Sequence, residues 1–215
     1  MELIRVMEAI TVGITLFMYM TGISPCIHMY KTGDTRSVPF LMFLLGILSC
    51  EGMLHYGILL NNTTLTLLNV VGTVLQCTYV VLYLAVTTPK TKPLLMSSVA
   101  IAYLTSLYTY LYQVVKDDSR IAEILGSSAG TVTTMIVCYP ILEIIENVRN
   151  KNADGMPLVM MLGSLACSTC WLFFGMMLND VNIYAPNIPG IAIILVKLYV
   201  FQMYSPSQSA KSKAE

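Results

Sequence analysis

The sequence predicts an all-α membrane protein, with seven transmembrane helices arranged as two parallel three-helix repeats joined by a linker helix. Three observations lead there. Of the 215 residues, 56% are hydrophobic and 11% charged, less than half the roughly 25% charge of soluble domains. With a mean hydropathy of +0.71, a water-soluble fold of this length could not cover its surface. The intervals between the few charges match the ~20 apolar residues that cross a bilayer, and a stretch of the first half recurs in the second at a fixed separation. Twelve Lys and Arg balance twelve Asp and Glu; without a basic surplus for phosphate contacts, a nucleic-acid partner is not expected.

The elements follow in order. No residue between Glu8 and Lys31 is charged, which gives helix one. That stretch lacks a convincing small-residue cleavage site, so it is expected to remain as a helix and not to be removed as a signal peptide. Residues 37–89 hold a single charge, Glu51, and are too long for one crossing. Asn61-Asn62-Thr63-Thr64 divides them into spans two and three, and Lys90 and Lys92 end the third. Residues 94–115 form the fourth span, and Lys116-Asp117-Asp118-Ser119-Arg120 a short loop. Spans five, six and seven are expected over 121–146, 156–178 and 183–205. Gly and Pro interrupt several spans, which a bilayer tolerates where helices pack against neighbours. Loops this short leave no room for a soluble domain.

Lys31, Arg36, Lys90, Lys92, Arg149, Lys151, Lys211 and Lys213 fall on one side, against Arg5, Lys116 and Arg120 on the other. The positive-inside rule then puts the C-terminus in the cytosol and the N-terminus outside. Cys26, Cys50, Cys77, Cys138, Cys167 and Cys170 all fall in or near apolar spans, where thiols act as small hydrophobes. Cys167 and Cys170 have no His or carboxylate partners for a metal site. Two overlapping glycosylation sequons begin at Asn61 and Asn62, in a loop so tight that neither is expected to be used.

The repeat is exact in spacing. Residues 38–72 and 156–190 align without a gap at a separation of 118, bringing Pro39 onto Pro157, Gly57 onto Gly175, Asn69 onto Asn187 and Gly72 onto Gly190. Asn61 meets Asn179 at the turn. Upstream, Ser24-Pro25 pairs with Tyr139-Pro140 at a separation of 115. Helices one to three thus recur as five to seven. A three-helix repeat ends on the side opposite its start, so two copies in one orientation need an extra crossing, and helix four supplies it. The divisions expected are 1–92 for the first bundle, 93–119 for the linker helix, 120–206 for the second bundle and 207–215 for a cytosolic tail. Parallel repeats of this kind are a transporter plan, with a substrate site near the midplane between them.

Ser24-Pro25, Ser37-Val38-Pro39-Phe40, His55-Tyr56-Gly57, Asn69-Val70-Val71-Gly72, Tyr139-Pro140, Asp154-Gly155-Met156-Pro157, Trp171-Leu172-Phe173-Phe174-Gly175 and Pro186-Asn187 together resemble the SWEET sugar transporters, the MtN3/saliva group. The resemblance covers about residues 8–204. It implies two three-helix bundles, a linker helix, and sugar passing down its gradient through a central cavity.

The resemblance assigns Asn69 and Asn187 to substrate binding; an amide offers two donors and an acceptor, suited to vicinal hydroxyls. It places a cavity residue at Trp171, the only tryptophan, which would present a flat face to the sugar. The repeat partner of Trp171 is Met53, where many relatives carry Trp or Ser; a thioether can pack on a sugar face but donates no hydrogen bond. Thr21 and Ile136, four residues before the repeat prolines, are further candidates to line the cavity. Pro25, Pro39, Pro140 and Pro157 match the family's four prolines near the cytosolic helix ends. Because proline kinks a helix by removing a backbone hydrogen bond, they are expected to act as hinges.

Two alternatives come from other residues. Glu51 is a carboxyl inside an otherwise uncharged span, with His55 at i+4 on the same face. Intramembrane ionisable groups often form proton relays, so the pair would suit a proton-coupled carrier such as the related PQ-loop amino-acid transporters. Those carry Pro-Gln where this chain has Ser24-Pro25 and Tyr139-Pro140. Residues two apart on a helix point ~200° apart, so Glu51 faces away from Met53, and a structural contact of Glu51 with His55 or the backbone is preferred. Lys197 in helix seven would suit a retinal-binding receptor, but the third span has no counter-ion and a long lysine near a helix end can snorkel. No nucleophile–base–acid set, metal cluster or cofactor motif is visible, so an enzyme is not expected. The expectation is a passive uniporter of glucose-like sugars in the plasma membrane, with the bilayer and the sugar as partners and association of copies implied by the resemblance.

Overall fold

A computed structural model describes residues 2–35, 38–153 and 156–204. The expected tail lies outside these, as do Arg36, Ser37, Asp154 and Gly155. The described chain is helical: α1 (Glu2–Thr21), α2 (Ile23–Thr32), α3 (Phe40–Leu59), α4 (Thr63–Val86), α5 (Thr91–Tyr110), α6 (Asp118–Cys138), α7 (Pro140–Asn150), α8 (Leu158–Met177), α9 (Val181–Tyr184) and α10 (Asn187–Tyr204). A π-helical turn, Leu111–Val115, extends α5. They make seven stretches long and apolar enough to cross a membrane, Glu2–Thr32, Phe40–Leu59, Thr63–Val86, Thr91–Val115, Asp118–Asn150, Leu158–Met177 and Val181–Tyr204. All seven expected spans are present. Hydrocarbon side chains such as Leu95 (65% exposed), Val99 (63%) and Val159 (71%) stand on the helix surfaces, as lipid-facing positions require.

Residues 15–133 form one compact unit, and the remaining described residues form the other. In the first, α3 and α4 make an antiparallel hairpin whose buried face includes Leu44, Met53, Leu65 and Leu68. Residues 118–133 of α6 pack on α3 where Gly52 lies under Ala129, so closely that a Cβ on Gly52 would come within 2.8 Å of the alanine methyl. Small residues permit such approach between membrane helices. Ser49 and Thr133 hydroxyls lie 2.6 Å apart along the same seam, and Tyr103 of α5 meets Ser128 of α6 at 2.6 Å. Asp117 caps α6 through the Arg120 N–H at 2.9 Å. The Ser119 hydroxyl and then that N–H hold its carboxyl below the usual carboxylate range.

In the other unit, Ala153, Met156, Met161 and Val200 are buried together, with Ile144, Leu198, Phe201 and Tyr204 packed around them. Glu143 of α7 forms an ion pair with Lys197 of α10. Lys197 therefore does not snorkel away from the fold: its side chain is only 14% exposed, because a carboxylate on the neighbouring helix is within reach. None of the six cysteines is in a disulfide.

Candidate substrate site

The repeat reappears as conformation. α3 and α8 end at Leu60 and Leu178 with nearly the same backbone, φ −83°, ψ −2° and φ −83°, ψ −7°. Asn61 and Asn179 follow, both left-handed at φ 53°, a conformation asparagine tolerates better than most residues. The chain is pinned by Asn62 N–H to the Gly57 carbonyl at 2.8 Å and by Asp180 N–H to the Gly175 carbonyl at 2.9 Å. Asn62 and Asp180 then cap the next helix, accepting from the Leu65 and Asn182 N–H groups at 3.0 Å each. Short polar side chains are the usual N-caps because they satisfy an orphan amide. Thr63 and Thr64, expected as loop, are instead the first turn of α4, since Asn62 starts the helix ahead of them.

Glycines make this turn fit. A Cβ on Gly175 would lie 2.7 Å from the Tyr184 nitrogen, and one on Gly57 3.0 Å from the Thr66 nitrogen. Seven residues beyond each cap stand the asparagines, Asn69 inside α4 and Asn187 as the first residue of α10. Asn69 donates to the Leu65 carbonyl at 2.7 Å and Asn187 to the Ile183 carbonyl at 2.8 Å, and both are about nine-tenths buried. Only an NH2 group can donate to a carbonyl, so this bond fixes which way each amide faces. The bond uses one of the two N–H donors of each amide.

The other candidates fall as follows. Met53 is buried in α3. Trp171 is half-buried in α8, edge-on to Phe174 at 6.0 Å. Thr21 is half-buried as the last residue of α1, its hydroxyl donating to the Met18 carbonyl at 2.7 Å. Ile136 is half-buried in α6, and its carbonyl accepts from the Tyr139 N–H at 3.2 Å. Met53, Thr21 and Asn69 belong to the 15–133 unit, while Trp171, Ile136 and Asn187 belong to the other.

The prolines divide into two kinds. Pro25 and Pro140 stand at interruptions of the first and fifth spans, where Gly22 separates α1 from α2 and Tyr139 separates α6 from α7. Pro39 and Pro157 differ from the expected kinks. Both are N-caps in extended conformation, with ψ 100° and 112°, so no intrahelical bond is lost. A proline immediately before a helix removes a donor the helix would not have used.

Two repeat-equivalent side chains, separated by 118, hold the interrupted spans, and the sequence reading did not pair them. Tyr79 of α4 donates to the Tyr19 carbonyl at 3.4 Å and lies against Gly22. Its equivalent in α10 is Lys197, bound to Glu143 of α7. Tyr79→Phe keeps the ring on Phe43 (centroids 5.4 Å apart) but removes the hydroxyl. A net hydrogen bond of about 1 kcal/mol then predicts roughly fivefold faster amide exchange at residues 22–24 and 26, measured by hydrogen–deuterium exchange in detergent micelles.

At Glu51 it is the main-chain carbonyl, and not the carboxylate, that meets His55. His55 Nδ1 lies 3.2 Å from the Glu51 carbonyl oxygen and 2.7 Å from the Tyr108 hydroxyl. Tyr108 of α5 had no signal in the sequence, because helix four has no repeat partner to mark its important positions.

A family model described as "Sugar efflux transporter for intercellular exchange" matches residues 5–91 and again 123–209, two copies separated by 118 at both ends. The chain is 32% identical to "Sugar transporter SWEET1" of Rattus norvegicus over 197 residues, covering 92% of this chain and 89% of that protein. The Mus musculus protein of the same name matches to the same extent, and the Homo sapiens one at 27% over 194 residues, covering 90% of this chain and 88% of that protein. A solved eukaryotic SWEET transporter shares the fold, with TM-score 0.81 at 19% identity over 94% of this chain and 96% of that one.

Proposed function

The chain belongs to the SWEET (MtN3/saliva) family of sugar transporters, and from that premise we propose that it is a passive uniporter of glucose-like monosaccharides. It works by alternating access to a site at mid-membrane depth, with Asn69 and Asn187 as its hydrogen-bonding ligands. The observation that carries this reading is the identical anchoring of the two amides by the carbonyl four residues back. Trp171 and Met53 offer the sugar an apolar face; Thr21 and Ile136 line the route. Pro25 and Pro140 act as hinges in the interrupted spans, with Pro39 and Pro157 setting where the adjoining helices begin. The repeats comprise 1–92 and 120–206, with 93–119 as the linker. The C-terminus faces the cytosol, and the plasma membrane is the site of action.

No energy source is needed. Proton coupling would require the Glu51 carboxylate to exchange protons with the substrate route, whereas His55 is occupied by Tyr108 and the Glu51 carbonyl. The test is glucose entry into proteoliposomes with and without an imposed pH gradient. Saturable entry unaffected by the gradient is the expected result. Entry that rises with the gradient and fails in Glu51→Gln would instead establish a proton-coupled carrier.

A further inference from the structure

Two buried oxygens in α4, Thr73 Oγ1 and Gln76 Oε1, have no hydrogen-bond partner. Buried polar atoms are nearly always paired, so two orphans three residues apart call for a cause. They lie four and seven residues beyond Asn69, spacings that put all three side chains on one stripe of the helix. At 1.5 Å per residue the stripe runs about 10 Å from Asn69 to Gln76, away from the Asn61-Asn62 turn.

Packing does not demand these groups. The repeat-equivalent positions in α10 are Ile191 and Ile194, so the same architecture is built with hydrocarbon there. Room for the Gln76 amide is made on purpose by Gly46 of α3, where a Cβ would come within 2.6 Å of the amide carbon; its repeat equivalent is Ser164. Gly46 and Gln76 in one repeat are thus exchanged for Ser164 and Ile194 in the other. A buried amide oxygen without a partner is costly compared with isoleucine, unless something visits the site with hydroxyls to give.

We propose that Thr73 and Gln76 are substrate-specificity residues: together with Asn69 they form a polar ladder along α4 that receives the hydroxyl groups of the sugar. This rests on the reading of Asn69 as a substrate ligand. Gln76 Oε1 accepts from a sugar hydroxyl, and the Thr73 hydroxyl donates to or accepts from its neighbour. Recognition is one-sided, because the corresponding stripe of α10 offers only aliphatic side chains beyond Asn187.

The test is competition of the four monodeoxy-glucoses against glucose entry in proteoliposomes, with wild type, Gln76→Leu, Thr73→Val and Asn69→Ala. In the wild type the analogue lacking the contacted hydroxyl competes about tenfold more weakly, as expected for one lost hydrogen bond in a polar site. In Gln76→Leu the glucose KM rises about tenfold, the maximal rate stays within twofold, and the discrimination against that analogue falls to about one. Thr73→Val is expected to erase discrimination at a hydroxyl in the same way, and it carries the test should Gln76→Leu fail to insert. Unchanged discrimination in the inserted variants, with Asn69→Ala inactive, overturns this proposal alone and leaves water or packing as the role of these groups. Wild type without glucose entry, or entry that survives Asn69→Ala, overturns the underlying reading and this proposal with it.

Discussion

Asn187→Ala is expected to lower sugar entry by about a hundredfold or more, and Asn69→Ala to do the same. A site built to hydrogen-bond hydroxyls loses far more than one average bond when its polar group is removed, because the substrate's own donors are left unpaired. The amides bond to carbonyls four residues back in their own spans, Asn69 to Leu65 within α4 and Asn187 to Ile183 of the adjoining α9, so truncation removes no contact between one span and another. The variants should therefore insert, elute as wild type in size-exclusion chromatography and melt within a few degrees of it. Radiolabelled glucose uptake into proteoliposomes at matched protein content checks this. Near-normal uptake in either variant would remove the asparagines from the site.

Gly175→Val is expected to have the largest effect on folding. Even the first carbon of a side chain would sit 2.7 Å from the Tyr184 backbone nitrogen and 2.9 Å from Ile183 Cγ2. Backbone cannot swing aside as a flexible side chain can, so the α8–α9 turn must open. Overpacking costs about 1–3 kcal/mol or more, and here it also strains the Asp180 N–H bond to the Gly175 carbonyl. The measurement is yield of monodisperse protein and melting temperature in detergent. Gly57→Val should follow with a smaller loss, since its nearest atoms are at 3.0 Å, and Gly13→Ala should change nothing, as no atom lies within 4 Å.

The spans and the repeat were readable because they are written in one dimension. Charges mark the ends of spans, and Pro, Gly and Asn at a fixed separation mark equivalence whatever the side chains between them do. Asn61 and Asn179 adopt the same φ because their neighbours were kept in the same order. What stayed hidden depends on partners distant in sequence. Tyr108 reaches His55 across 53 residues, and Glu143 reaches Lys197 across 54; neither pair has a spacing that periodicity reports. The prolines show a third limit. A proline near the start of an apolar run reads equally as a kink or a cap, and only the extended backbone at Pro39 and Pro157 separates the two. Gly46 gave no sign either, since its meaning is the amide of Gln76 lying over it.

The turn and its asparagine also bear on how such a chain can change over generations. Seven residues separate the helix-capping Asn62 from Asn69, and seven separate Asp180 from Asn187. Between those points almost everything has been rewritten: α4 is continuous, whereas the second copy contains the short α9, a break and Pro186. Only the count has survived. Each residue inserted or deleted would turn the amide ~100° about the helix axis and shift it ~1.5 Å along it, carrying it off its face. In this stretch, mutation is free to alter the letters but not the length of the word.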